Sequence, residues 1–303
     1  GLRENKFATL LDENFDKTQW QTLIPKEPHW VFVPRDADRE AEYHQYESIK
    51  NIFSLNGSGI KFRKDSLLVK NHFVKSDVVQ MLNDVSDEKV NIFQKYDFEE
   101  TKDWQLKDKK RLFLNWKDQD IIKVQYRPFS KRFTYYPLDK ISQIIPRGDS
   151  RANLMGHMFQ PNLGLISTRL NRQMSEGYFY VSESPADLHL LDTAKDSMIL
   201  TPLYLYSSSS QSNLLGQENR KPNLSPDFIK TFSEKLGLKF IPEGSGDLEK
   251  TFGPEALFYY AYAIFHSPTY RSRYAEQLKI DFPHLPLTGD KKLFAQLVAL
   301  GKE

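Results

Sequence analysis

The sequence has no cysteine among its 303 residues. This absence excludes disulfides, thiolate zinc sites, iron–sulfur clusters and a cysteine nucleophile. The chain also lacks any apolar run approaching the roughly 18 residues of a transmembrane helix, so we expect neither a spanning segment nor a membrane partner. A chain without cysteine is compatible with a reducing compartment, and we therefore expect a cytoplasmic location.

An excess of one charge is lacking too. Lys and Arg number 42 and Asp and Glu number 40, which leaves a net charge of +2. A protein that binds nucleic acid over its whole surface normally has a stronger basic excess. Any anion-binding surface must therefore come from local clustering, because a balanced total can hide a basic face opposite an acidic one.

The signatures of common catalytic sites are missing as well. The sequence has no GxxxxGK[ST] phosphate loop, no GxGxxG, no GxSxG and no HExxH. The glycines within 56–59 predict a plain turn, and the seven histidines have no metal-ligand spacing. Four acidic residues resemble part of a nuclease site, but their polar helical context favours a solvated surface: Asp97, Glu99, Glu100 and Asp103. We predict no catalytic and no metal-binding residue in this chain.

The first 118 residues have mainly helical patterning. Apolar residues recur every three or four positions, the spacing of an amphipathic helix, in five segments: 2–24, 40–53, 76–85, 87–97 and 101–113. Short apolar runs at 30–33 and 66–69 predict strands.

After Asp120 the chain becomes rich in β-branched and aromatic residues. Five strands are predicted, at 121–129, 131–136, 163–168, 178–183 and 197–206. A polar loop at 207–223 follows, and cap and proline signals then predict helices beginning at Ser225-Pro226, Gly253-Pro254, Ser267-Pro268 and Asp290. The fold class is therefore α+β, with a strand-rich mixed sheet at about 120–206 flanked by helical N- and C-terminal regions.

Positive charge gathers in the segment 121–151, which has seven basic residues against two acidic ones. The basic residues are Lys123, Arg127, Lys131, Arg132, Lys140, Arg147 and Arg151. Five aromatic residues alternate with them, and such a basic–aromatic strand pair suits a phosphate backbone, because arginine can grip phosphate through two N–H groups. On charge alone, a solvated strand face explains the same pattern equally well.

Candidate base-reading residues follow shortly after this segment. Arg169, Arg172 and Gln173 have the side chains that pair with guanine and adenine edges in the major groove. Arg271 and Arg273 are further candidate phosphate contacts, although the polar segment 266–271 itself predicts a tight junction between helices.

A series of short motifs occurs in a fixed order along most of the chain. They are SGIK at 58–61 with Arg63 and Asp65, QYRPF at 125–129, RFTYY at 132–136, Pro146-Arg147, MGHM at 155–158, NLGL at 162–165, Arg172-Gln173, PLYLY at 202–206, KPNLS at 221–225, TFGP at 251–254, AYAIFHSPTYR at 261–271, KIDFP at 279–283 and LPL at 285–287. Together they resemble the C-terminal specificity region of type ISP restriction–modification enzymes and related N6-adenine DNA methyltransferases. The resemblance covers about 40–300, and residues 2–39 are similar to the tail of the methyltransferase core.

The resemblance implies a parent polypeptide that methylates adenine with S-adenosylmethionine. Members that also restrict DNA use ATP and Mg²⁺ in motor and nuclease parts further upstream. The implied organisation is a methyltransferase tail and connector at 1–70, a helical segment at 71–118 and a DNA target-recognition domain at 119–303. The methyltransferase signature [DNS]PP[YFW] does not occur here. We therefore expect a fragment of a longer polypeptide, as Gly1 without an initiating Met also suggests, with no catalysis or cofactor of its own.

Three functions remain open at this point. In the first, the chain recognises a sequence in double-stranded DNA and holds it for the methyltransferase domain of the same polypeptide. In the second, it is a docking module that couples the methyltransferase to the motor and nuclease and touches DNA weakly. The third, a stand-alone hydrolase with an unrecognised acidic site, has the least support.

Overall fold

The structure, a computed structural model, describes residues 3–12, 16, 18–20, 22–25, 36–168, 179–191, 198–207 and 220–303. The chain divides into two compact units, Gly1–Glu42 and Tyr43–Glu303. No helix within the described ranges is long and apolar enough to cross a bilayer.

Helices occur throughout the described parts of the chain. They are α1 (Arg3–Asp12), α2 (Ala37–His44), α3 (Ile49–Ile52), α4 (Asp65–Leu68), α5 (Lys75–Ser86), α6 (Ile92–Tyr96), α7 (Leu106–Phe113), α8 (Ile141–Ile144), α9 (Ala152–Met155), α10 (Pro226–Leu236), α11 (Pro254–His266), α12 (Pro268–Arg273), α13 (Ala275–Leu278) and α14 (Lys291–Lys302). Short 3₁₀ turns lie at Asp118–Asp120 and Gly156–Met158.

The strands are short and form several small sheets. They are β1 (Glu47–Ser48), β2 (Gly57–Ser58), β3 (Ile121–Arg127), β4 (Ser130–Tyr135), β5 (Gly164–Thr168), β6 (Tyr180–Ser182), β7 (Met198–Pro202), β8 (Tyr204–Tyr206), β9 (Arg220–Pro222), β10 (Lys239–Phe240), β11 (Thr251–Phe252) and β12 (His284–Leu285). An antiparallel sheet has the order β2-β7-β5-β6, and β1–β12, β3–β4 and β8–β9 are antiparallel pairs. The pair β10–β11 is parallel. The predicted α+β class is confirmed, with separate small sheets in and around the strand-rich middle.

Two hydrophobic clusters stabilise the unit Tyr43–Glu303. The first extends from Ile60 to Leu200 in sequence and includes Trp104, whose indole Nε1 donates to the carbonyl of Ile144 at 2.8 Å. The second surrounds α11, where the rings of Phe232 and Phe294 meet edge to face at 5.6 Å. Burial of each such aromatic ring contributes about 2 kcal/mol to folding, so these clusters hold the small sheets in place.

The predicted C-terminal helices are confirmed, and their boundaries follow from local chemistry. Pro226 opens α10, which ends at Gly237 with a left-handed φ of 63°. Ser267 Oγ accepts from the amide of Tyr270 at the start of α12, which makes the predicted junction between α11 and α12. Asp290 caps α14 by accepting from the amides of Lys292 and Leu293.

Several N-terminal predictions were wrong in detail. Residues 66–69 form part of α4 and its C-cap, because a short buried apolar run fits a helical turn as well as a strand. The predicted turn at 56–59 contains β2, which pairs with β7. The predicted helix 40–53 is interrupted by β1, which pairs with β12. The predicted strand at 30–33 lies outside the described residues.

The predicted helices after residue 86 are shorter than expected. The segment 87–97 forms α6, which begins where the side chain of Asn91 accepts from the amide of Gln94. The segment 101–113 begins with a tight turn in which Thr101 and Trp104 exchange backbone hydrogen bonds, so that α7 starts at Leu106.

Candidate nucleic-acid interface

The first part of the basic segment predicted at 121–151, residues 121–136, contains the hairpin β3–β4, which we call the basic hairpin. Its register pairs Lys123 with Phe133 and Gln125 with Lys131. The ammonium group of Lys123 lies 5.4 Å from the centre of the Phe133 ring, a cation–π distance. Both lysines are exposed, and neither forms an ion pair within the described part of the chain. Residues 121–136 include four basic residues and no acidic one, so the hairpin itself carries positive charge.

Arg132 is positioned by neutral groups. Its guanidinium lies 4.0 Å over the ring of Phe73, and its Nε donates to the carbonyl of Lys70 at 3.1 Å. Its Nη1 donates to Ser130 Oγ at 2.6 Å. None of these partners is a carboxylate, so the side chain is held in one orientation while its charge stays available to an anion.

Arg127, by contrast, is paired with a buried carboxylate. Its Nη1 donates to Asp187 Oδ1 at 2.7 Å and to the carbonyl of Tyr126 at 2.6 Å, and its guanidinium stacks 4.0 Å from the Tyr126 ring. Asp187 is fully buried, and burial, with a smaller contribution from Asp65, raises the pKa of its carboxyl to about 7 although Arg127 acts to lower it. This ion pair anchors the basic hairpin to the rest of the unit.

The segment around Asp187 is fixed from both sides. Ile60 and Asp187 form one β-bridge, and Gln125 and Ala186 form another. A side chain at Gly59 would place its Cβ 2.6 Å from the backbone of Asp187, so only glycine allows this close approach. The basic hairpin is therefore attached to a rigid base.

The tip of the basic hairpin exposes an aromatic ring. The strand register shifts between Gln125 and Arg127, and Pro128 and Phe129 make the turn. Phe129 has a φ of 59°, and its side chain is 96% exposed. Sequence reasoning had counted this ring among the aromatic residues of the strands and had not separated it from its buried neighbours.

Arg147 and Arg151 lie in the loop that leads into α9. Both have left-handed backbone conformations, with φ values of 61° and 55°. Arg147 forms an ion pair with Asp103, so its charge is partly compensated. Arg151 is exposed without a carboxylate partner among the described residues. The acidic residues near Asp103 are exposed, in agreement with the prediction of a solvated surface.

Arg271 and Arg273 pack beside the second hydrophobic cluster. Arg271 Nε donates to the carbonyl of Phe265 at 2.9 Å and its Nη2 donates to His266 Nδ1 at 2.9 Å. His266 Nε2 then donates to the carbonyl of Phe179 at 3.0 Å, and burial together with Arg271 lowers the pKa of this histidine. Arg273 Nε donates to the hydroxyl of Tyr274 at 3.3 Å. Arg271 therefore connects the two helices of the junction.

The structure does not describe the three residues that were predicted to read bases. Arg169, Arg172 and Gln173 lie outside the described residues, as does most of the polar loop 207–223. The last described residue before them is Thr168, at the end of β5, the strand that lies between β6 and β7 in the four-stranded sheet.

Sequence reasoning missed an open cavity of about 410 Å³ with charged residues in its lining. Arg220 and Tyr204 line it with Glu183 and Glu255, among others. The guanidinium of Arg220 stacks 4.0 Å from the Tyr204 ring and pairs with Glu243 at 2.8 Å. Acidic groups around this arginine make the cavity less suited to phosphate than the basic hairpin.

Sequence reasoning also missed a group of three polar side chains that come from distant parts of the sequence. Ligand atoms of His44, Asp281 and His284 lie within 4.8 Å of one another. His284 Nδ1 donates to the carbonyl of Tyr46 at 3.0 Å, and the ring stacks on Tyr43. We therefore interpret the group as part of the packing between β1 and β12.

Comparison with family models matches residues 51–303 to the Type ISP C-terminal specificity domain. The chain belongs to this family. The match covers more than four-fifths of the chain and confirms the resemblance seen in its motifs. The comparison with curated proteins gives no match.

Solved structures share the fold of this Type ISP specificity domain. One is a nuclease-deletion mutant of the Type ISP restriction–modification enzyme LlaGI in complex with a DNA substrate mimic, at 22% identity and a TM-score of 0.58, covering 99% of our chain and 26% of that one. A DrdV–DNA complex is similar at 16% identity and a TM-score of 0.64, covering 99% of our chain and 28% of that one.

The ATP-dependent Type ISP enzyme LlaBIII bound to DNA is similar at 20% identity and a TM-score of 0.62. That likeness covers 93% of our chain and 17% of LlaBIII. At such identities these similarities establish the fold. Our chain thus spans about a quarter or less of the chains that it resembles.

Proposed function

We propose that this specificity domain recognises a target sequence in duplex DNA for an adenine-N6 DNA methyltransferase that belongs to a restriction–modification polypeptide. Family membership supports the proposal, and so does the presence of DNA in the complexes of LlaGI, DrdV and LlaBIII. Methylation, and the S-adenosylmethionine that it needs, would belong to a catalytic domain of the parent polypeptide. We assign no catalytic step to this chain.

The observation that carries the proposal is the uncompensated charge of the basic hairpin. Lys123 and Lys131 are exposed, Arg132 is half-buried without a carboxylate partner, and the segment has no acidic residue. Exposed cations on a rigid strand pair can neutralise phosphates on a duplex and fix its register. Arg151 is a further phosphate contact in this proposal, and Arg147 becomes one when DNA competes with Asp103.

The internally bonded arginines have a different role in this proposal. Arg127 and Arg271 support the surface by holding the basic hairpin and the α11–α12 junction, and Arg273 lies beside that junction. Base reading is assigned to Arg169, Arg172 and Gln173 by the chemistry of their side chains alone. The bound duplex would be held in this way while the target adenine is flipped into the pocket of the catalytic domain.

Fluorescence anisotropy with a labelled random duplex pool tests the phosphate contacts. Between about 50 and 200 mM salt, each neutralised phosphate adds about −0.9 to the slope of log affinity against log salt concentration. The double variant Lys123→Ala, Lys131→Ala should flatten the slope by about 1.8. A matched double variant in α14, Lys292→Ala with Lys302→Ala, removes the same charge from exposed positions and should leave the slope unchanged. Equal slopes for both variants would contradict the assignment.

A docking function is the second candidate, and α1 supports it. Phe7, Leu10 and Leu11 share one face of this helix by their spacing, and all three are exposed. No residue of α1 is buried. An apolar helix face of this kind suits the methyltransferase domain of the same polypeptide, and it is compatible with DNA recognition by the basic hairpin.

A further inference from the structure

The most exposed large apolar side chain of the described residues is Phe129, at the tip of the basic hairpin. Its ring is 96% exposed and meets Tyr180 edge-on with the ring centres 6.5 Å apart. A soluble domain normally places such a ring in its core, and an isolated exposed phenylalanine is by itself unremarkable. The backbone conformation and the neighbours of Phe129 distinguish it from an ordinary exposed phenylalanine.

The backbone presents the ring in a fixed direction. The φ of 59° at Phe129 is a conformation that glycine, asparagine or aspartate usually occupies. Pro128 restricts the preceding residue, and Gln125 Nε2 donates to the carbonyl of Arg127 at 2.8 Å across the bulge. Arg127 is tied in turn to the buried carboxylate of Asp187. The turn therefore accepts a strained conformation and keeps a bulky ring at its tip.

The surroundings of the ring are basic. Lys131 and Arg132 follow it on β4, and their charges have no carboxylate partner among the described residues. An apolar tip among cations matches the cross-section of a DNA groove, where stacked bases form the floor and phosphates line both rims. An acidic protein surface would satisfy the cations, but it would offer no flat stacked rings for the phenyl group.

We propose that Phe129 is a wedge that stacks on, or between, the bases of one step of bound duplex DNA. The ligand is thus a base step, bordered by phosphates that contact Lys131 and Arg132. Insertion of an apolar side chain partly unstacks a step and kinks the duplex. Unstacking lowers the cost of extruding a neighbouring base, which is what an adenine methyltransferase requires. This inference rests on the proposed DNA-recognition function and adds a specific contact to it.

The test uses the full chain and duplexes enriched by it from a random pool. Adenines are replaced one at a time with 2-aminopurine, whose fluorescence rises when it is unstacked. The wild type should raise the 2-aminopurine fluorescence at one base step. Phe129→Ala should abolish this rise and weaken DNA binding about tenfold, whereas Phe129→Trp should keep the fluorescence rise and the affinity. The salt slope should be the same for all three, because their charges are equal. Phe93→Ala, at an exposed phenylalanine of α6 outside both proposed surfaces, should behave as wild type.

The outcomes separate this inference from the proposed function. If Phe129→Ala keeps both the affinity and the 2-aminopurine signal while Lys123→Ala with Lys131→Ala weakens binding, the wedge is wrong and DNA recognition stands. If the folded wild type binds no duplex at low salt, the proposed function is wrong and the wedge is wrong with it. Thermal unfolding of each variant distinguishes loss of contact from loss of fold.

Discussion

At the scale of single residues, arginines of similar sequence context differ in role because of their neighbours. Arg127 and Arg132 both lie in the basic hairpin, but Arg127 meets a buried carboxylate and Arg132 meets an aromatic ring and carbonyl groups. The charge of Arg127 is compensated by an ion pair, and that of Arg132 is not. Charge reversal at Arg127 would therefore damage the fold, so that Lys131 is the better position for testing DNA contact.

The buried carboxyl of Asp187 predicts an unusual pH dependence of stability. Its pKa is raised by burial to about 7 in the folded state, well above the ordinary value near 4 of an unfolded chain. The folded state then binds the proton more tightly, so this group makes the protein more stable as pH falls from 8 to 5. We expect a gain on the order of 2 kcal/mol in the free energy of unfolding, relative to the variant Asp187→Asn.

Urea denaturation at both pH values measures this difference. Asp118→Asn is the control, because Asp118 is an exposed partner of Lys75. If the free energies of unfolding of the wild type and of Asp187→Asn changed with pH in parallel, Asp187 would be ionised throughout this range, held so by Arg127.

Backbone strain at Phe129 predicts a conflict between stability and binding. Glycine adopts a φ of 59° freely, whereas other residues lose about 1–3 kcal/mol there. We expect Phe129→Gly to raise the free energy of unfolding by up to about 1 kcal/mol, after the greater flexibility of glycine in the unfolded chain is subtracted. Its affinity for DNA should fall as in Phe129→Ala. Chemical denaturation and fluorescence anisotropy on the same preparations measure the stability and the DNA affinity. A Phe129→Gly variant less stable than the wild type would contradict the strain argument.

At the scale of elements, the packing of α14 against α11 holds the C-terminal part together. A Cβ at Gly301 would lie 2.0 Å from the carbonyl oxygen of Tyr259 in α11, so the two helices touch through this glycine. Phe294 lies about two turns earlier on α14 and packs against Tyr260 with the ring centres 5.2 Å apart. The close approach and the ring contact together define the spacing of the helices.

We predict that Gly301→Ala lowers the free energy of unfolding by about 1–3 kcal/mol through overpacking. This loss outweighs the gain of about 1 kcal/mol that alanine brings to an unconstrained helix. Leu300→Ala, at the exposed neighbouring position, should change the free energy by less than about 0.5 kcal/mol. Chemical denaturation of both variants checks this, and a stabilised Gly301→Ala would mean that α14 can shift without loss.

Elements with local signals were predictable from the sequence. Ser225-Pro226 and Gly237 bound α10 correctly because capping depends on neighbours within one turn. Residues 66–69 were assigned to the wrong element because four apolar residues are too few to show a period. The interruption at β1 could not be seen, because its partner β12 lies more than two hundred residues away.

In the candidate site, too, features with local sequence signals were predictable and features that depend on distant contacts were not. The hairpin and its lysines were found from alternation and composition, which are local properties. The capture of Arg127 by Asp187 depends on a contact 60 residues away in sequence and left no local signal. The exposure of Phe129 had a local signal that was overlooked, since Pro128 predicts a turn and places the next residue at its tip.

At the scale of the whole molecule, a nearly neutral chain presents an uneven distribution of charge and apolar surface. The basic hairpin concentrates cations, while α1 concentrates exposed apolar side chains. In the proposed parent polypeptide the first surface would face DNA and the second would face the methyltransferase domain.

The double variant Leu10→Gln, Leu11→Gln tests the second surface. No residue of α1 is buried, so the free energy of unfolding should stay within about 0.5 kcal/mol of the wild type. Association with a separately produced methyltransferase domain should weaken at least tenfold, and self-association of the chain should decrease. Lys6→Gln on the same helix is the control. Sedimentation and calorimetric titration measure both effects, and unchanged association would exclude this helix as the docking element.

The pairing of β1 with β12 has a consequence for biosynthesis. Glu47 and Ser48 leave the ribosome more than two hundred residues before their partners Leu285 and His284. During translation the second hydrophobic cluster stays open until α11, β12 and α14 arrive, and a non-local closure of this kind is slow. A nascent chain that stops before β12 keeps apolar surface exposed to proteases and chaperones.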